Sequence, residues 1–296
     1  MKSIRIVFVG SVYFSKAMLE SLLKKKVNIV GVCTKKKSSF NSDFYNLGKI
    51  SKKKRIRTLY TNNINSLNAY NWIKKRNPDL ILCLGWSYLI KKKLLSLPRL
   101  GVIGFHPASI PQNRGRHPII WSLVLGLKNI SSTFFFMNTK ADAGNIITQK
   151  GIIIDKKDNA KTLYLKIINQ AKKQLIKIMK NINSGKVRSI KQNIKKGNVW
   201  RKRNNEDGKI ELRMSAKEIF KLVRGLTKPY PGAHFIHNNK KIILWNSKII
   251  KDTQKNIEPG KIIKKINSKI VVKCGKDAIC LLKTNTPLKY KVGDYL

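Results

Sequence analysis

The chain has 296 residues, 63 Lys and Arg against 14 Asp and Glu, a formal net charge of +49 and 42% hydrophobic residues. That apolar share excludes a disordered basic tail, which would lack the residues to bury a core, and the length predicts about two domains. The longest apolar run, Ile119–Leu127, is broken by Ser122 and Gly126 and falls well short of the ~18 residues of a membrane span. No membrane partner is expected, and the chain reads as cytoplasmic. The basic, then apolar, start at Met1–Gly10 is too brief for a signal peptide and reads as a first strand. Cys33, Cys83, Cys274 and Cys280 lack CxxC spacing and read as buried or idle thiols.

Such a charge suggests a polyanionic partner, but its composition argues against that inference. Of the 63 basic residues only 12 are Arg, the type that recognises phosphate and guanine bidentately. Lysine runs such as Lys24–Lys26, Lys52–Lys54 and Lys91–Lys93 are scattered along a chain rich in Ile and Asn. A solvated Lys surface set by codon bias explains this pattern better than a selected nucleic-acid footprint.

In chain order, Ile4–Gly10 is a β-rich run, Phe14, Met18, Leu19, Leu22 and Leu23 have helical spacing, and Val27–Val32 is a second strand. Thr34–Thr61 is polar and predicts a loop with a short helix. Asn77-Pro78-Asp79 punctuates a strand at Leu80–Leu84; Val102–Phe105 and Ser131–Met137 are further strands, with a buried helix at Ile119–Leu127 starting on Pro118. Leu163 to Ile178 is a longer amphipathic helix ending near Gly185. Alternating strands and helices predict an α/β, Rossmann-like, mainly parallel sheet with helices on both faces. After a Lys-rich linker come one helix, Ala216–Leu226, and short strands at Gly232–Ile236, Lys241–Trp245, Gly260–Ile266, Ile270–Cys274 and Ala278–Leu282. These predict a small C-terminal β-barrel of the OB-like kind. The expected organisation is thus an N-terminal catalytic domain over 1–190, a linker over 191–204 and a β-barrel domain over 205–296.

Two of the four histidines, His106 and His117, fall in one segment after the Val102–Phe105 strand, at the carboxyl edge where open α/β sheets keep their sites. Between Asp79 and Asp155 the only acid is Asp142, in the loop after the next strand. Two loops at one sheet edge can bring an imidazole and a carboxylate together, and a carboxylate favours the charged imidazole. The alternative readings, a strand-capping His and a turn Asp before Ala143-Gly144, are not excluded by spacing. Gly-x-Ser-x-Gly and Gly-x-x-x-x-Gly-Lys-Ser/Thr are absent, and Gly10-Ser11 is short of a dinucleotide fingerprint. His234 and His237 would face opposite ways on a strand, so no metal site is expected.

At His106, at Ile110-Pro111-Gln112-Asn113-Arg114-Gly115-Arg116-His117-Pro118 and at Ala141-Asp142-Ala143-Gly144 the chain resembles the folate-dependent formyltransferases, which include methionyl-tRNA formyltransferase and the sugar-nucleotide N-formyltransferases. Trp200–Arg203, Asp207-Gly208 and Pro229-Tyr230-Pro231-Gly232-Ala233 extend the resemblance to nearly the whole chain. It implies a 10-formyltetrahydrofolate co-substrate without a metal, its pterin near Gly85-Trp86-Ser87-Tyr88-Leu89 and the loop of Ala141 and Gly144. It implies His106 and Asp142 as catalytic residues, with Ser11, Arg114, Gly115, Arg116 and His117 at the acceptor. One departure stands out: Gly104 occupies the position of the family's catalytic Asn. Either another donor such as Asn113 substitutes, or the branch has altered chemistry.

The family's transfer-RNA branch carries a Pro/Gly/Arg-patterned loop after the second strand. Here that stretch reads Thr34-Lys35-Lys36-Lys37-Ser38-Ser39-Phe40-Asn41-Ser42-Asp43-Phe44-Tyr45, which with Arg116 and Trp121 resembles the sugar-nucleotide branch instead. The leading expectation is formyl transfer to an amino-sugar nucleotide. Initiator methionyl-tRNA as acceptor, and a catalytically impaired folate- or RNA-binding relative, stay open beside it.

Overall fold

A computed structural model describes residues 4–296, and the chain divides into two compact units. The first comprises Met1–Pro118, Ile130–Ile152 and Leu165–Trp200; the second comprises Ile119–Asn129, Ile153–Tyr164 and Arg201–Leu296.

The elements run β1 (Ile6–Val9), α1 (Tyr13–Lys24), β2 (Ile29–Thr34), α2 (Gly48–Lys53), β3 (Thr58–Tyr60), α3 (Leu67–Lys74), β4 (Leu80–Cys83) and α4 (Lys92–Leu95). They continue with β5 (Val102–His106), β6 (Arg114–Gly115), α5 (Pro118–Val124), β7 (Asn129–Phe136), β8 (Ile146–Ile153), α6 (Ala160–Asn183) and β9 (Val199–Trp200). Then come α7 (Ala216–Leu226), β10 (Ala233–His237), β11 (Lys240–Ile250), β12 (Ile262–Ile266), β13 (Lys269–Lys273) and β14 (Ala278–Thr284).

The first unit is built on a seven-stranded sheet of order β3-β2-β1-β4-β5-β7-β8. Its strands are parallel from β3 to β5, and β7 runs antiparallel to β5 with His106 opposite Thr133. β1 and β4 are buried throughout, as uninterrupted apolar runs must be when both faces of a parallel sheet are covered. On one face Val7, Val9, Cys33, Ile81, Cys83 and Val102 pack with Ile73 of α3 and Leu94 of α4. Burial pushes the Cys83 thiol up to about 12, which keeps it inert as the spacing suggested.

Two strands of this sheet lay outside the sequence expectation. β3 is three residues long, and β8 (Ile-Ile-Thr-Gln-Lys-Gly-Ile-Ile) carries a polar middle that masks its period. Both are terminal strands of the sheet, where one open edge relaxes the demand for apolar residues. α6 starts three residues before the predicted helix and ends near Gly185 as expected, with Gly185 following it at φ +69, as a left-handed helix terminator should.

In the second unit the small β module is a five-stranded antiparallel sheet of order β10-β11-β14-β13-β12. Phe235, Leu244, Val272, Ile279 and Leu281 of that sheet share a core with Ile219, Leu222, Val223 and Leu226 of α7 and with Ile120 of α5. α7 starts on Ser215, whose hydroxyl accepts from Glu218 N–H at 3.2 Å. Gly225 lets α5 approach: an added Cβ would lie 3.2 Å from Val124 and 3.4 Å from Leu123.

A polar clasp holds the segment leading to this sheet. Asp207 accepts from Arg201 through both Nη atoms and from Asn204 N–H at 2.7 Å. Arg203 lies 4.5 Å from the Trp121 ring centroid, and Trp121 Nε1 donates to the Arg201 carbonyl at 3.0 Å. The hydrogen bonds from Arg201 hold the Asp207 carboxyl down at about 2. A depressed carboxyl stabilises the fold above its unfolded value near pH ~4 and loses that contribution as pH falls through the folded value. Asp207→Asn should therefore lower the urea midpoint at pH 6, and the gap to wild type should narrow as the pH is taken down towards 3.

Candidate active site

The site begins where the turns after β1 and β4 meet. Ser15, in the first turn of α1, accepts from Val12 N–H at 3.2 Å and donates to the Leu84 carbonyl at 2.6 Å. A Cβ on Gly10 or Gly85 would come within 2.5 Å of its hydroxyl, and Gly85 also needs its positive φ of +81. This packing sets Ser11 against Gly85, with Ser11 N–H donating to the Gly85 carbonyl at 3.2 Å. The buried Ser11 hydroxyl, Trp86 Nε1 and Asn41 Nδ2 have no hydrogen-bond partner. Three orphaned polar atoms around one turn are what a ligand rich in donors and acceptors would satisfy.

The loop after β2 closes over this turn. Ser87 donates to Asn41 Oδ1 at 3.1 Å, and Phe40 and Tyr88 have ring centroids 5.8 Å apart. Both rings are exposed, at 44% and 46%. Lys35 is only 4% exposed and sets its ammonium 4.6 Å from the Tyr88 centroid and 5.2 Å from that of Trp86. Arg116 approaches Phe40 at 5.9 Å. Lys35, Phe40 and Asn41 were outside the predicted site residues; the signal available was their place in the loop after the second strand.

His106 ends β5, buried, and is held from both sides. Nε2 lies 2.9 Å from the Asn113 carbonyl oxygen; a carbonyl can only accept, so Nε2 carries a proton. Nδ1 faces Asp142 Oδ2 at 3.6 Å, and the same oxygen accepts from Gly115 N–H at 3.0 Å. His106, Asp142, Asn113 and Gly115 therefore form one cluster, which the sequence placed only on a common sheet edge. It is the backbone carbonyl of Asn113, not its amide, that reaches the imidazole.

Other predicted residues stand differently. Arg114 Nε donates to the Pro111 carbonyl at 3.3 Å and ties down its own loop. Arg116 and Ala141 are exposed, while Leu89 is exposed beside the aromatic turn. His117 adopts φ +54 just before α5. Gly144 is buried, and an added Cβ would sit 1.6 Å from the Phe136 carbonyl, so this glycine allows two backbones to touch. Gly104 is packed as well: its Cβ would meet Met137 at 2.8 Å and Phe135 at 3.1 Å. Met137 fills the room that a side chain at 104 would need.

A strap that sequence reasoning treated as linker holds these loops. β9 pairs in parallel with β6, Asn198 Oδ1 accepts from Asn113 N–H at 2.7 Å, and Gly197 packs on Pro111 with no room for a Cβ. Gln192, buried, donates to the carbonyls of Asp142 at 3.0 Å and Gly144 at 2.5 Å. A lone Gln in a Lys-rich stretch carries no local signal of that role.

Residues 2–179 match the formyl transferase family and residues 202–293 its C-terminal domain. The chain belongs to the formyl transferase family. It is 33% identical over 239 residues to the bifunctional polymyxin resistance protein ArnA of Wigglesworthia glossinidia brevipalpis, covering 81% of this chain and 36% of that one. It is 26% identical to the methionyl-tRNA formyltransferase of Caldanaerobacter subterraneus subsp. tengcongensis, covering 98% and 94%. Among solved structures the sugar 3N-formyl transferase WlaRD, crystallised with dTDP and 5-N-formyl-THF, superposes with a TM-score of 0.70 at 18% identity, covering 97% of this chain and 100% of that one.

Two outcomes follow for this formyl transferase. Gly104→Asn should cost about 1–3 kcal/mol by overpacking, read as a lowered denaturation midpoint, and pairing it with Met137→Ala should recover much of that loss. Gln192→Ala should reduce turnover, because it releases the Asp142 and Gly144 carbonyls and frees the loop that carries Asp142.

Proposed function

We propose that this enzyme moves the formyl group of 10-formyltetrahydrofolate to the primary amine of an amino-sugar nucleotide. The transfer half of this reading rests on the His106–Asp142 pair. When bound, the folate supplies an activated formyl carbon. A neutral amine adds there, and negative charge grows on the formyl oxygen. His106 is suited to meet that charge with an N–H donor in a site from which water is largely excluded, the setting in which such donors act most strongly. For its Nε2 to do so, the Asn113 carbonyl gives up its bond. Asp142 orients the ring through Nδ1 and relays the proton shed by the attacking nitrogen to the folate nitrogen, which leaves as its bond to the formyl carbon breaks and the oxyanion collapses to the formamide. The orphaned Ser11, Trp86 and Asn41 atoms suit the donors and acceptors of a pterin at Gly85-Trp86-Ser87, which moves Ser11 from the expected acceptor side to the folate and leaves Tyr88 to the acceptor.

The acceptor half rests on one cluster: the exposed Phe40–Tyr88 ring pair with Lys35 and Arg116 beside it. Two aromatic faces suit a nucleobase, and two cations suit a diphosphate. WlaRD, a sugar formyl transferase of the same fold, was solved with dTDP. Methionyl-tRNA is the second reading, favoured by the near full-length match to the Caldanaerobacter enzyme and by the charge of +49.

His106→Ala should lower turnover by about 100–1000-fold, the usual loss of one preorganised donor, with the fold retained. Asp142→Asn, which keeps an oxygen for Gly115 N–H, should also fall steeply in turnover. Full activity in either variant removes the mechanism. Assayed with the folate donor and each acceptor, the wild type should formylate an amino-sugar nucleotide, and Arg116→Ala should raise its KM without moving that of the folate. Formylation of charged initiator tRNA alone would replace the acceptor, and folate binding without turnover on either would make the chain a binding relative.

A further inference from the structure

Inside the second unit, the C-terminal half of α7 and the middle of β11 enclose a cavity of about 330 Å³. Phe220, Arg224, Lys228, Trp245, Ser247 and Lys283 line it, and none of its lining residues is acidic. Its far wall is irregular: the pairing of β11 with β14 slips between Leu244 and Asn246 and again between Asn246 and Ser247. Bulges of this kind re-aim side chains out of strict alternation.

Two polar atoms here lack partners. Ser247 is 4% exposed and its hydroxyl has no hydrogen bond. Arg224 spends Nη1 on the carbonyls of Asp155, Lys156 and Asp158, at 3.3–3.4 Å, while its buried Nε is unpartnered. Buried polar atoms are left unpaired rarely, and a ligand is one reason for the exception. Around them stand two exposed lysines. Lys228 sets its ammonium 5.6 Å from the centroid of Trp245, and Lys283 has no carboxylate at ion-pair distance among the described residues. The indole is backed by Gly232, at φ +95, whose absent Cβ would lie 3.2 Å from the ring.

We infer that this cavity binds a nucleoside phosphate, with its base against Trp245 and its phosphate held by Lys228, Lys283, Arg224 and the Ser247 hydroxyl. An aromatic face beside unopposed cations is the combination that captures a base together with its phosphate. The volume is at the small end for ligand pockets, which fits one nucleotide. That nucleotide is either free or one residue of an RNA strand; the recognising chemistry is the same. The inference does not rest on the reading of the His106 site.

The test is fluorine NMR on the full chain labelled with 5-fluorotryptophan. With five tryptophans, the Trp245 resonance is assigned by Trp245→Phe. UDP, dTDP, a single-stranded oligoribonucleotide and inorganic phosphate are titrated separately. The Trp245 resonance should shift saturably with at least one of the three nucleotide probes. The Lys228→Glu/Lys283→Glu variant should weaken that response by about tenfold or more, as expected when phosphate contacts dominate. A shift with UDP or dTDP identifies a free nucleotide, and a shift with the oligoribonucleotide alone identifies an RNA strand. A resonance unmoved by all three, an equal shift from inorganic phosphate, or an unchanged response in the double variant overturns the inference. The Trp86 resonance reports separately on the turn after β4, so failure of the acceptor reading is distinguishable.

Discussion

The geometry of the candidate site depends on a loop that leaves β5 at His106 and returns its own backbone to that residue. The Asn113 carbonyl reaches Nε2 from one side and Asp142, held by Gly115 N–H, faces Nδ1 from the other. A loop of this length keeps such a shape only if its backbone is tied down, because ordering each residue costs about 1–2 kcal/mol. The ties are visible: Thr133 donates to the Ala108 carbonyl at 2.7 Å, Gln149 to that of Ile110 at 2.9 Å, and β9 pairs with β6. Remove the strap around 192–200 and the imidazole, its carboxylate and the carbonyl would lose their common frame.

The packing at Gly104 follows from the same strand. Residues 104 and 106 point to one face of β5, so a side chain at 104 would stand next to the imidazole. Met137 has taken that space, and the polar group that the family resemblance leads one to expect is replaced by a thioether. The imidazole therefore has one carboxylate and backbone groups as its neighbours, and backbone groups need no side-chain entropy to hold in place.

The net charge of +49 resolves into local uses of differing weight. Most lysines are exposed and free in solvent, where a charge contributes solubility and little to the fold. A few are committed: Lys35 is buried against two aromatic rings, and Lys273 pairs with Asp252 at 2.6 Å. Arg201 and Arg203 enclose Asp207. A cation paired with a carboxylate serves the fold, one set against an aromatic face stays available to a ligand, and the total charge does not reveal which cations are which.

The parallel core was legible because β1, β4 and β5 are continuous apolar runs bounded by turn residues, a pattern set by burial on both faces. His106 and Asp142 stood out as candidates, since each follows a strand and no other acid lies between Asp79 and Asp155, but spacing left a strand-capping His and a turn Asp equally open, and the structure brought the two side chains together. The family motifs around Arg114-Gly115 added the chemistry. What the sequence could not carry was any role that depends on contact between distant segments. Gln192 clamps the Asp142 loop from fifty residues away, Met137 closes the space at Gly104, and Lys35 lies on Trp86 and Tyr88. The edge strands β3 and β8 escaped for a related reason: with one side open they need little apolar content, so their period is weak. Local pattern determined most of the elements and singled out His106 and Asp142 as candidates; tertiary packing alone decided which backbone groups hold the two side chains together and what surrounds them.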